Sequence, residues 1–111
     1  MTLNEYQALA QRTSPKEHSR ILNGVLGLCG EVGECADHVK KHFFQGHDLD
    51  RAHLAEEIGD VLWYCAELAA GLNRSLEEIA EMNIAKLRKR YPDGFDSERS
   101  VHRDEYEVNE K

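Results

Sequence analysis

Two pairs of acidic residues stand where the sequence around them is otherwise small or apolar. Glu31 and Glu34 lie in Leu28-Cys29-Gly30-Glu31-Val32-Gly33-Glu34-Cys35, and Glu57 and Asp60 lie in Glu56-Glu57-Ile58-Gly59-Asp60-Val61-Leu62-Trp63. Each pair is spaced i, i+3, so in a helix its members share a face. Four carboxylates brought together in a partly desolvated place repel one another, and each must take up a proton or find a cation. No lysine or arginine lies within a turn of either pair on the same face, and Lys40 and Lys41 come later. An oxygen-only ligand set suits a hard divalent cation, Mg2+ with Mn2+ as a substitute, rather than zinc. Gly30, Gly33 and Gly59 fit this reading, since each costs about 1 kcal/mol relative to alanine inside a helix and would leave room for metal, water or phosphate.

The elements that must position these acids read as helices throughout. Thr2 can cap a first helix carrying Leu3, Tyr6, Leu9 and Ala10. A second is expected from near Pro15 to about Phe44, with an apolar stripe through Ile21, Leu22, Val25, Leu28, Val32 and Val39. Gln45 to Asp50 forms a short connection, and a third helix runs from about Asp50 to Leu72, stopped by Gly71 and Asn73. Consecutive helices joined this tightly lie antiparallel, so the two acid pairs can face each other. Ser75 opens a capping box with Glu78 for a fourth helix ending near Arg90, before Tyr91-Pro92. The fold class is all-α, a small four-helix bundle-like domain over residues 1–96, with a polar, partly ordered tail over 97–111.

The charge balance narrows the partners. A net charge of −7 across 111 residues argues against nucleic acid and anionic membranes, which need a basic face. It still allows a phosphate ester if a divalent cation bridges the like charges. Cys29, Cys35 and Cys65 have no C-x-x-C spacing and are expected as buried thiols in a reducing cytoplasm. No signal peptide and no membrane-length apolar run is expected. His38 and His42 are spaced as a zinc pair could be, but Val-Lys-Lys between them lacks the glutamate a zincin needs, so they read as surface residues. Glu56, about 100 degrees off the face of Glu57, reads as a surface acid, and Trp63 as core.

The E-x-x-E and E-x-x-D pairs, together with Asn83-Ile-Ala-Lys86-Leu-Arg-Lys-Arg90-Tyr91-Pro92, resemble the MazG-like, all-α nucleoside triphosphate pyrophosphohydrolase family over roughly residues 20 to 96. The resemblance implies cleavage between the α and β phosphates, giving a monophosphate and pyrophosphate. It implies Glu31, Glu34, Glu57 and Asp60 as catalytic metal ligands, with Asn83, Lys86 and Arg90 contacting phosphate or sugar. Tyr64, one turn after Asp60, would meet the nucleotide. It further implies a homodimer or homotetramer. Relatives carry another acid just before the first motif glutamate; here that residue is Gly30, which leaves the general base unassigned. Two other readings share these residues: a phosphoribosyl-ATP pyrophosphohydrolase, and a helical regulatory module that binds metal or nucleotide without turnover.

Overall fold

The structure, a computed structural model, describes residues 1–103. Five helices appear among them, α1 (Leu3–Gln11), α2 (Arg20–Gln45), α3 (Arg51–Gly71), α4 (Leu76–Arg90) and α5 (Ser97–Val101), and no strand. The all-α expectation holds. The chain divides into two compact units, Met1–Leu76 and Glu77–Lys111.

Capping side chains set the helix starts in the first unit. Thr2 Oγ1 accepts from the Glu5 N–H at 3.0 Å, Ser19 Oγ from Leu22 at 3.2 Å, and Asp50 Oδ1 from His53 at 3.0 Å. Gly46 closes α2 in the left-handed conformation at φ 73°, its N–H donating to the Lys41 carbonyl. Asn73, at φ 57°, does the corresponding work after α3. Helix α2 begins at Arg20 rather than near Pro15. The reason lies in tertiary bonding, because Ser14 and His18 turn inward to a carboxylate on α3 and hold their segment out of the helix.

Helices α2 and α3 form an antiparallel hairpin, since residue numbers fall on one as they rise on the other. Gly24 lies against Leu68, Gly27 against Tyr64, and His38 against Asp50 and His53. A side chain at Gly24 would come within 2.7 Å of Leu68 Cβ, and one at Gly27 within 2.1 Å of the Tyr64 ring. The backbones approach this closely because two glycines three apart present no side chain to the partner. Helix α1 lies on another side of α3.

The buried apolar residues are few: Ala10, Ala66, Ala69 and Leu76, with Tyr6, Trp63 and Cys65 packed around them. Trp63 belongs to this core as expected, its Nε1 donating to the Ala10 carbonyl at 3.2 Å and to Thr13 Oγ1 at 2.9 Å. At the centre is an acid. Glu67 is wholly buried and takes four hydrogen bonds, from Gln11 (3.0 Å) and Ser14 (2.7 Å) on Oε1 and from His18 (2.8 Å) and Asn23 (2.8 Å) on Oε2. Burial pushes this carboxyl up, but the four donors outweigh it and hold it down at about 2.

Two expectations about burial require correction. The apolar stripe of α2 is not a core face, since Ile21, Leu22, Val25 and Val32 are exposed and only Gly24 is buried in that helix. Cys29 is likewise exposed, and Cys35 and Cys65 are only half-buried. Within the first unit α2 meets α3 through glycines and polar residues, which leaves its larger apolar side chains on the opposite face.

In the second unit, α4 places Glu77 and Glu78 in its first turn and Arg88, Lys89 and Arg90 in its last, complementing the helix dipole. The tail expected from residue 97 opens with α5, capped by Asp96 and without a buried residue. Arg99 on α5 donates to the carbonyls of Arg90 and Lys89, the latter at 2.9 Å, and so satisfies the end of α4. Phe95 and Val101, the large apolar residues at this end of the described chain, are exposed. The rest of the expected tail, from residue 104, lies outside the described residues.

Candidate active site

Helix α2 presents Glu31 on the face that carries Gly24 and Gly27, and α3 presents Glu57 and Asp60 opposite it. One carboxylate oxygen from each of Glu31, Glu57 and Asp60 lies within 4.8 Å of the others. Glu57 is 6% exposed, Glu31 half-buried and Asp60 exposed, so the cluster is sheltered from one side and open on the other. Within the first unit no lysine or arginine pairs with these three acids. Glu31 Oε2 and Glu57 Oε2 are buried with no hydrogen-bond partner. Two ionised carboxylates have only acceptors to offer each other, so the contact requires a proton or a cation between them. In the metal-free chain a proton meets that need. The Glu31 carboxyl is raised to about 7, first by a hydrogen bond it can give Glu57 only when protonated. Burial and the charges of Glu34, Asp60 and Glu57 push the same way.

Glu34 is exposed and stands outside the three-oxygen cluster. It shares with Glu57 a neighbouring cavity of about 410 Å³, also lined by Gly30, Gly33, Asp37, His38, Lys41 and His53. A Cβ at Gly30, Gly33 or Gly59 would meet nothing within 4 Å, and Gly30 and Gly33 line the cavity beside Glu34 and Glu57. On the other side, Glu31 and Asp60 line a second cavity of about 330 Å³ with Trp63 and Tyr64. The Tyr64 ring lies over Gly27 and meets Trp63 edge-on at 5.0 Å. Tyr64 is thus brought to the acids, as its position one turn after Asp60 implies. Trp63, a core residue by its hydrogen bonds, also walls this cavity.

The remaining residues fall as follows. Asn83, Lys86 and Arg90 lie on α4, in the second unit; Asn83 and Lys86 are exposed, and the Arg90 guanidinium lies 5.9 Å from the Tyr91 ring centre. Glu56 is a surface acid, its side chain 79% exposed. His38 and His42 are each engaged at the α2–α3 turn, His38 Nε2 accepting from the Asp50 N–H at 3.1 Å and His42 Nδ1 bonded to the His47 carbonyl at 2.8 Å. Two further residues, outside the motif, prove central to the fold and the site. Glu67 sits in Ala66-Glu67-Leu68-Ala69, an acid on an apolar helix face like the motif acids, and that setting is its signal in the sequence. His53, whose Nε2 lies 3.1 Å from Glu57 Oε1, stands one turn before a motif acid, and that spacing is the mark it leaves.

The oxygen-lined cluster with its unpartnered carboxylates fits a hard divalent cation. The chain belongs to the MazG nucleotide pyrophosphohydrolase domain family, whose pattern it matches over residues 19–95. It is also similar to the gene 37 protein of Mycobacterium phage L5, with 39% identity over 69 residues covering 59% of this chain. The matched stretch spans about 60% of that relative's length. No solved structure matches the chain.

Proposed function

We propose that this chain hydrolyses nucleoside triphosphates to the monophosphate and pyrophosphate, as a nucleotide-pool enzyme dependent on Mg2+. The observation that carries the reading is the convergence of Glu31, Glu57 and Asp60 within 4.8 Å around two buried, unpartnered oxygens. These three residues, with Glu34 beside Glu57 in the adjoining cavity, would hold the cation. When bound, Mg2+ neutralises the triphosphate and lowers the pKa of a water for attack on phosphorus. The protein's contribution is positional. Glu31 and Asp60 face the cavity walled by Trp63 and Tyr64, whose rings offer an apolar surface to a base or sugar. Asn83, Lys86 and Arg90 supply donors suited to phosphate oxygens from α4. A second copy of the chain completes the working assembly, covering the exposed apolar face of α2.

The test is a panel of the eight common ribo- and deoxyribonucleoside triphosphates with Mg2+, with products resolved by ion exchange, for wild type and Glu57→Gln. Monophosphate with pyrophosphate is expected from the wild type, and a loss of at least 100-fold in the variant, as for removal of a principal charge-stabilising group. Diphosphate with free phosphate would overturn the assignment. Magnesium-dependent nucleotide binding without turnover would replace it with a regulatory module.

A further inference from the structure

His53 contributes nothing to the acid pairs as a motif, yet its Nε2 lies 3.1 Å from Glu57 Oε1, one helical turn away on α3. A carboxylate offers only acceptors, so an imidazole that carries a proton on Nε2 is a suitable neighbour for it. The contact occupies one oxygen of a carboxylate that is 6% exposed and leaves Oε2 as the oxygen without a partner. A glutamate's terminal torsion is broad, so nothing intrinsic to Glu57 fixes the plane of its carboxylate relative to Glu31 and Asp60.

The residue that carries this ring is anchored through its backbone. Its backbone N–H is tied to the Asp50 side chain at 3.0 Å, and the Asp50 backbone N–H is tied to His38 Nε2 at 3.1 Å. The His38 and His53 rings stand 5.7 Å apart. His38 belongs to α2, so the α3 cap joins both helices of the hairpin at the backbone of His53.

We propose that His53 is the positioning residue of the acidic centre: its ring, 3.1 Å from Oε1, fixes the orientation of the Glu57 carboxylate that would share a cation with Glu31 and Asp60. This rests on the reading of that cluster as a divalent-cation site. Partners of this kind, which orient a metal ligand without touching the metal, change metal affinity about 10- to 100-fold when removed.

The experiment is Mn2+ binding to the full, nucleotide-free chain, followed by electron paramagnetic resonance of the free ion and by calorimetry. Wild type is compared with His53→Ala, His53→Gln and Glu57→Gln, each first shown to be folded by thermal unfolding in EDTA. The His53 side chain is 50% exposed, so its truncation opens no core cavity. His53→Ala is expected to weaken Mn2+ binding about 10- to 100-fold. His53→Gln is expected to return it to near the wild-type value, because an amide N–H can reach the same oxygen. In turnover, His53→Ala should raise the Mg2+ concentration needed for half-maximal rate, with a smaller change in the rate at saturation. Unchanged affinity in His53→Ala, with Mn2+ bound by the wild type and lost in Glu57→Gln, overturns the positioning role and leaves the cation site standing. A His53→Gln variant as weak as His53→Ala overturns it as well, since the imidazole would then be a ligand in its own right. A wild type that binds no Mn2+ overturns both this proposal and the reading beneath it.

Discussion

Glu31 keeps a proton that an ordinary glutamate has lost well below neutrality, and this has consequences for both stability and metal binding. Its carboxyl is raised from 4.5 to about 7 in the folded chain, while the unfolded chain has the ordinary value. Between those values the folded state binds the proton and the unfolded state does not, so rising pH favours unfolding across that window. A divalent cation removes the penalty by replacing the proton among the carboxylates. In EDTA, the melting temperature should therefore fall as pH rises from about 5 to 7.5. Added Mg2+ or Mn2+ should restore it more at pH 7.5 than at pH 5, and Glu57→Gln should flatten both effects. Thermal unfolding over a pH series, with and without metal, checks this; metal stabilisation that is equal at the two pH values would contradict it. The acids were legible in the sequence because a carboxylate on an otherwise apolar helix face is too costly to stand there without a proton or a cation. The offset of Glu34 into the next cavity was not legible, because motif spacing fixes a shared face but not which member of a pair lies opposite the partner helix.

At the scale of elements, Glu67 explains how α1 and the segment before α2 are fastened to α3. Its donors Gln11, Ser14, His18 and Asn23 come from the end of α1, the segment between the helices and the first turn of α2. A buried carboxylate is tolerable only when its lone pairs are filled, and here four donors fill them. Glu67→Gln presents an N–H₂ where two donors already point, and should destabilise the fold by roughly 3 kcal/mol near neutral pH. The sign of the pH dependence follows from the depressed carboxyl at about 2 against an ordinary 4.5. The stability it contributes is fully present above 4.5 and is lost as pH falls towards 2. The gap between wild type and Glu67→Gln should therefore narrow over that acid range in urea-unfolding titrations, and a gap that stays constant would count against the account. The same bonds show why the start of α2 could not be read from sequence. Pro15 is a good first-turn residue locally, but partners on α3 some fifty positions away hold Ser14 and His18 in another conformation. The hairpin was legible because caps, glycine stop and short turn are all local signals.

For the whole molecule, the distribution of apolar surface poses the remaining question. Three alanines and one leucine make up the buried apolar residues among those described, a small core for a chain of 111 residues. Meanwhile Leu22, Leu26 and Val32 are 59%, 63% and 53% exposed on the face of α2 turned away from α3, with Cys29 between them and Ile58, 63% exposed, on α3. Helical spacing places Leu22, Val25, Leu26, Cys29 and Val32 along one stripe, the periodicity of a face that is to be buried. That pattern marks a surface to be covered, and the hairpin does not cover it. A continuous stripe of this kind marks an interaction surface rather than scattered surface hydrophobics. The acids lie on the opposite face of α2, so a partner can occupy the stripe without closing the cavities beside Glu31 and Glu57. The proposed second copy predicts an oligomer at micromolar concentration by sedimentation equilibrium, with a melting temperature that rises with protein concentration. Leu26→Glu, at a position already exposed within one chain, should shift the distribution to monomer and lower the melting temperature while leaving the helical signal in circular dichroism intact. A wild type that sediments as a monomer throughout that range would mean that some other partner covers the stripe, and would remove the second copy from the functional assembly.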